Sequence, residues 1–146
     1  MKTTHASVRY AGDDYFVGTT PSGHSLVIDI KGERSNSSGP LELLLVSLGG
    51  CTAADVISVL KKKRERVTSY SVEIHGERRE EHPRSYRHIE LRHIFHGFGI
   101  SEKSVAQAIT LSSEKYCSVA GTLRPTAEIV STWEIHEDDP ATMETK

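Results

Sequence analysis

The sequence predicts an α+β fold. Strand-like and helical segments come in runs, in the order βββ-α-ββ-α-β, and not as the alternating βαβ units of a parallel sheet. One long apolar stretch at helical spacing stands in the middle of the chain, between groups of short alternating segments. With 146 residues, 36% hydrophobic and 26% charged, the make-up is that of an ordinary globular protein. A domain of this size buries roughly 70% of the surface its unfolded chain exposes. One domain over residues 1–146 is therefore expected, without disulfide staples.

The first third reads as a three-strand meander. Ala6-Ser7-Val8-Arg9-Tyr10 alternates, Gly12-Asp13-Asp14 turns, and Tyr15 to Thr20 returns. Pro21-Ser22-Gly23 turns again into Ser25 to Ile30, and a loop rich in Ser and Asn follows from Gly32 to Gly39. Pro40 then opens a long helix, since its missing N–H costs nothing at a first helical position. Apolar residues from Leu41 to Leu60 wrap most of that helix, which predicts burial all round. Lys61-Lys62-Lys63-Arg64 ends it, where cations complement the helix dipole. Two strands follow, Ser69 to Glu77 and Tyr86 to Phe95, joined by the charged segment Arg78 to Pro83 and closed by Gly97-Phe98-Gly99. Ser101 caps a second helix that runs to about Cys117. A last strand covers Ala127 to His136, and Glu137 to Lys146 is expected to be a flexible tail.

A net charge of −2 gives no support to nucleic acid or an anionic membrane as an obligatory partner. Met1-Lys2-Thr3-Thr4-His5 lacks the apolar core of a signal peptide. The stretch Leu41 to Leu60 contains Glu42 and Asp55 and is a poor membrane span. A cytoplasmic protein is expected. In that reducing compartment two cysteines are either inert core residues or a redox pair. Four of the eight histidines, His82, His88, His93 and His96, fall in one hairpin without metal-ligand spacing. Residues 88 and 93 of a strand also face opposite sides. Neither a metal nor a cofactor is expected.

Cys51 lies mid-helix beside Gly49 and Gly50. Each glycine there costs about 1 kcal/mol relative to alanine, so a close approach of backbone or ligand should offset it. Cys117 lies at the end of the second helix; a short helix restarting at Ser118 would offer it free N–H groups.

Pro40-x-Glu42-Leu43-Leu44-Leu45, running into Gly49-Gly50-Cys51-Thr52-Ala53-Ala54-Asp55-Val56, resembles the central-helix motif of the OsmC and organic hydroperoxide resistance superfamily. Glu77 to Pro83 and Glu114-Lys115-Tyr116-Cys117-Ser118-Val119 resemble its YhfA-like branch. The resemblance covers about Ser7 to Ile135, with the two cysteine blocks 66 residues apart (117 − 51). It implies an OsmC-like α+β fold in an intertwined homodimer, with central buried helices and sites at the subunit interface. It further implies reduction of a small hydroperoxide by the Cys51 thiolate, with Cys117 closing a disulfide that a dithiol reductant reopens.

The better-known branches of that superfamily place a glutamate directly after the motif proline, holding an arginine that ionises the thiol. Here Leu41 takes that place and the carboxylate stands one position later, at Glu42. At 100° per residue, Glu42 lies about 180° around the helix from Cys51, so it serves a partner's site or is structural. Arg34, in the loop before the helix, and Arg79, in the charged connection, are candidate activating cations alongside Arg9 and Arg78. Each also reads as a surface charge. A thiol peroxidase is thus the leading expectation. The alternative is a non-catalytic dimeric stress protein that binds a small apolar or electrophilic ligand. A redox pair further requires the two sulfurs to lie within roughly 4–5 Å or on a mobile segment.

Overall fold

A computed structural model describes residues 1–143. The chain forms two compact units, Met1–Leu44 and Leu45 onward.

The first unit holds β1 (Ser7–Gly12), β2 (Tyr15–Thr19) and β3 (Ser25–Asp29), an antiparallel meander in that order. Arg9 pairs with Val17, which pairs in turn with Val27. The β1–β2 connection takes Asp13 and Asp14 through φ of 48° and 61°. Aspartate tolerates this left-handed region better than most residues. Asp29 ends β3 buried and receives Arg34 through two nitrogens, Nη2 at 2.8 Å and Nε at 3.1 Å. The backbone N–H groups of Lys31 and Asn36 donate to the same carboxylate. One aspartate therefore organises the loop that leads into the long helix.

That helix, α1 (Pro40–Lys62), starts in the first unit and continues through the second. Glu42 reaches back to accept the N–H of Gly39 at 2.9 Å, one half of a capping box. Within α1 the residues Leu48, Thr52, Val56 and Leu60 are buried at four-residue intervals, with Gly49 beside them. Burial all round is not what the chain achieves by itself: Val46 is 66% exposed and Leu44 38%. The helix has more apolar surface than its own chain covers. By length and composition it could cross a membrane, but Val56 and Leu60 of its buried stripe pack into a core with Phe95, Ile100, Val105, Ala108 and Ile109.

In the second unit β4 (Arg66–Arg78) and β5 (Tyr86–Phe98) pair antiparallel, and β6 (Glu128–Glu137) pairs parallel to β5. Both β4 and β5 run longer than the alternation suggests, and Gly97 and Phe98 belong to β5. Gly97 has a steric reason: a Cβ there would lie 2.0 Å from the Arg66 carbonyl oxygen.

The second predicted helix is divided. α2 (Glu102–Leu111) begins with the Ser101 side chain accepting the N–H of Ser104, as expected. It then widens into one π-type turn, Ser112–Tyr116, closed by Cys117 N–H donating to the Ser112 carbonyl at 2.9 Å. A separate short helix, α3 (Ser118–Leu123), follows. The tail prediction changes as well. Glu137 ends β6, Pro140–Met143 forms one 3₁₀ turn, and residues 144–146 lie outside those described. These features combine into the α+β architecture expected.

Candidate thiol site

The second unit brings Cys51, Asp55 and Cys117 together, with their sulfur and carboxylate oxygen atoms within 4.8 Å of one another. Cys51 and Asp55 are one turn apart on α1 and share a face. Cys117 arrives from the other side, as the N-cap of α3. The π-type turn matters because its extra residue re-aims the chain just before the cap. The same turn buries Ser112, whose hydroxyl donates to Asp55 Oδ2 at 2.9 Å. Both cysteines are free thiols, Cys51 half-buried and Cys117 6% exposed. This spacing satisfies the distance required of a redox pair.

The start of α3 serves both sulfurs. The N–H of Ala120 donates to Cys117 Sγ at 3.3 Å, and the N–H of Val119 donates to Cys51. The restart of a helix at Ser118 is thus present. The Thr52 hydroxyl also points at Cys117 Sγ, 3.5 Å away.

Electrostatics divides on Cys51. Burial pushes its thiol up from the ordinary cysteine value, and Cys117 and the Asp55 carboxylate push the same way, while the Val119 N–H opposes them. The net direction is upward. A thiol so placed is protonated at neutral pH until a cation or a base acts on it.

Arg34 belongs to the first unit, bound to Asp29 and, at 2.8 Å, to Asp13, with its guanidinium 3.8 Å over the Tyr15 ring. Glu42 caps the start of α1. Arg79 follows β4 and lines a charged cavity with Glu77, Arg78, Glu80, Glu81 and Arg87, to which neither cysteine contributes. The hairpin histidines scatter. His88 faces Glu128 and His96 stacks on His136, whereas His93 is fully buried with Nδ1 2.7 Å from the Tyr70 hydroxyl.

Asp55, Ser112 and Thr52 escape the sequence reading of the site. Asp55 carried a usable signal, four residues after Cys51 on one helix. Ser112 carried none, because 57 residues and a non-α turn separate it from its partner.

Comparison with known proteins places these features in context. Residues 32–132 match the family model described as OsmC-like protein. The chain is 40% identical to protein YhfA of Escherichia coli K12 over 131 residues, 89% of this chain and 96% of that one. A protein from Aquifex aeolicus VF5 is 33% identical, with a TM-score of 0.84 over 95% of this chain and 100% of that one. An organic hydroperoxide resistance protein OsmC from Legionella pneumophila has the same fold at 14% identity, with a TM-score of 0.65 over 92% and 98% of the two chains.

Proposed function

The chain belongs to the OsmC-like protein family, and from that premise we propose that it is a thiol redox protein that reduces hydroperoxides through Cys51. The observation that carries this reading is the pair of sulfurs within 4.8 Å, delivered by two different helices. The hydroperoxide resistance protein of Legionella, on the same fold, supports the substrate class.

In the proposed cycle the Cys51 thiolate attacks the outer peroxide oxygen and the O–O bond breaks. The sulfur becomes a sulfenic acid, and the alkoxide leaves as an alcohol after taking up a proton. The Cys117 thiol then displaces the sulfenic oxygen as water, and the disulfide forms. A cytoplasmic dithiol returns both thiols. The roles follow exposure: half-buried Cys51 meets substrate, and Cys117 stays covered to resolve. The Val119 N–H favours the thiolate. The exposed apolar residues of α1 favour a homodimer built across that helix and an organic peroxide over hydrogen peroxide. A dimer partner is then the proposed source of a cation for Cys51, because Arg34 is already paired with Asp29 and Asp13.

The upward push on Cys51 favours a second reading. A protonated thiol is a slow peroxidase, and such a protein would hold a small electrophile without turnover.

Single-turnover oxidation of reduced protein by cumene hydroperoxide and by hydrogen peroxide separates the two, followed by mass spectrometry of the thiols. The peroxidase reading expects one alcohol per chain and a Cys51–Cys117 disulfide. Intact thiols after excess cumene hydroperoxide would leave the binding reading.

A further inference from the structure

We propose that Cys51, Cys117 and Asp55 form a binding site for a thiophilic divalent cation of the zinc class. The inference uses the same thiols as the redox reading but does not depend on any peroxide chemistry. Two cysteines and an aspartate are ordinary zinc ligands. Two of the ligand atoms come from one face of α1 and the third from the N-cap of α3, and all three already lie within 4.8 Å. Bonds of about 2.3 Å to sulfur and 2.0–2.2 Å to oxygen put two sulfurs and one oxygen in tetrahedral positions roughly 3.5–3.8 Å apart. A contraction of about an ångström, within reach of side-chain rotation, completes that geometry.

The surroundings are those a metal ligand set needs. Ser112 is fully buried and fixes one carboxylate oxygen of Asp55, leaving the other free to ligate. Such outer partners orient ligands and tune their basicity. Backbone N–H groups at Val119 and Ala120 donate to the sulfurs of Cys51 and Cys117. Asp55 also lines a cavity of about 400 Å³ with Ser58, Val59, Lys62, Lys63, Leu111 and Tyr116. The aspartate side of the ligand set therefore borders open space, although neither cysteine lines that cavity. Loading displaces two thiol protons per ion and changes no oxidation state.

These ligands are 4 and 62 residues apart in sequence (55 − 51; 117 − 55), a spacing no short metal motif shows.

The test uses the full reduced chain and cobalt(II) as the probe. A thiolate-to-cobalt charge-transfer band in the near ultraviolet should saturate at one ion per chain. Zinc should erase it, and both thiols of the zinc-loaded protein should resist a thiol reagent. Cys51→Ser and Cys117→Ser should each lose most of the band. Asp55→Asn keeps an acceptor for Ser112 and should bind at least tenfold more weakly while its thiols still react. Should that variant misfold, the half-exposed Cys51→Ser decides the question. Absence of the band at one equivalent overturns the proposal, as does a band indifferent to both serine variants, which would assign cobalt to surface groups such as His96 and His136. A protein that consumes peroxide but shows no band refutes the metal site alone; one that binds cobalt but ignores peroxide refutes the redox reading alone.

Discussion

Each thiol sits in a distinct setting, and substitution should separate their tasks. Cys51→Ser is expected to abolish peroxide consumption. Cys117→Ser should permit one oxidation event without a disulfide, so that Cys51 advances to sulfinic acid under excess oxidant. Intact-mass measurement of both variants checks this, and equal loss in a single turnover would remove the distinction between them. His93 offers a test of stability at the same scale. Burial lowers its pKa to about 4, and its Nε2 has no partner among the described residues. The unfolded chain takes up this proton near pH 6.5 and the folded chain only near 4, so stability is full above 6.5 and declines as pH falls through that window. Between pH 7 and 5 the loss attributable to His93 is about 2 kcal/mol. Urea unfolding at the two pH values should show it, and His93→Phe should remove that part of the slope. The residues legible in sequence were those with chemistry in their identity, the two cysteines. Asp55 shares the helix face of Cys51 and was within reach of the same pattern, whereas Ser112 acquires its meaning only from tertiary approach, which no local pattern encodes.

The elements were legible where periodicity governs them. Three strands, a proline-started helix, a Ser101 cap and a long hairpin all follow from alternation, turn residues and caps. The π-type turn did not, since it inserts one residue into an otherwise helical pattern to meet a distant aspartate. The glycine pair on α1 shows how far a local argument reaches. A Cβ on Gly49 would come 2.6 Å from Ile74 Cδ1, so a side chain of β4 accounts for it; nothing lies within 4 Å of the same position on Gly50. Gly97 is the stricter case, because backbone blocks it. Gly97→Ala should cost about 3 kcal/mol or more by forcing β4 and β5 apart at Arg66. Thermal unfolding checks it, and a loss below half a kilocalorie would mean the strand edge yields freely.

For the whole molecule, the uncovered face of α1 is what the sequence overstated and the chain leaves unfinished. Its apolar composition is visible in the string of residues, whereas the surface that covers it is not. The proposed homodimer supplies that surface. Sedimentation should find a dimer at micromolar concentration, and Val46→Glu should yield a folded monomer with an unchanged circular dichroism spectrum. A monomeric parent protein would remove the dimer and with it the proposed source of a cation for Cys51.

The parallel register of β5 and β6, from His88 opposite Glu128 to Gly97 opposite Glu137, gives the thiol pair a place in time. Parallel neighbours require a crossover, and here the crossover consists of α2, the wide turn and α3, with Cys117 riding on it. Long-range pairings of this kind form slowly, because the intervening chain must be gathered first. A refolding chain can therefore hold Cys51 on a completed α1 before any second sulfur stands opposite. Quenching refolding at intervals with a mild oxidant would turn Cys51–Cys117 cross-linking into a clock for docking of the crossover.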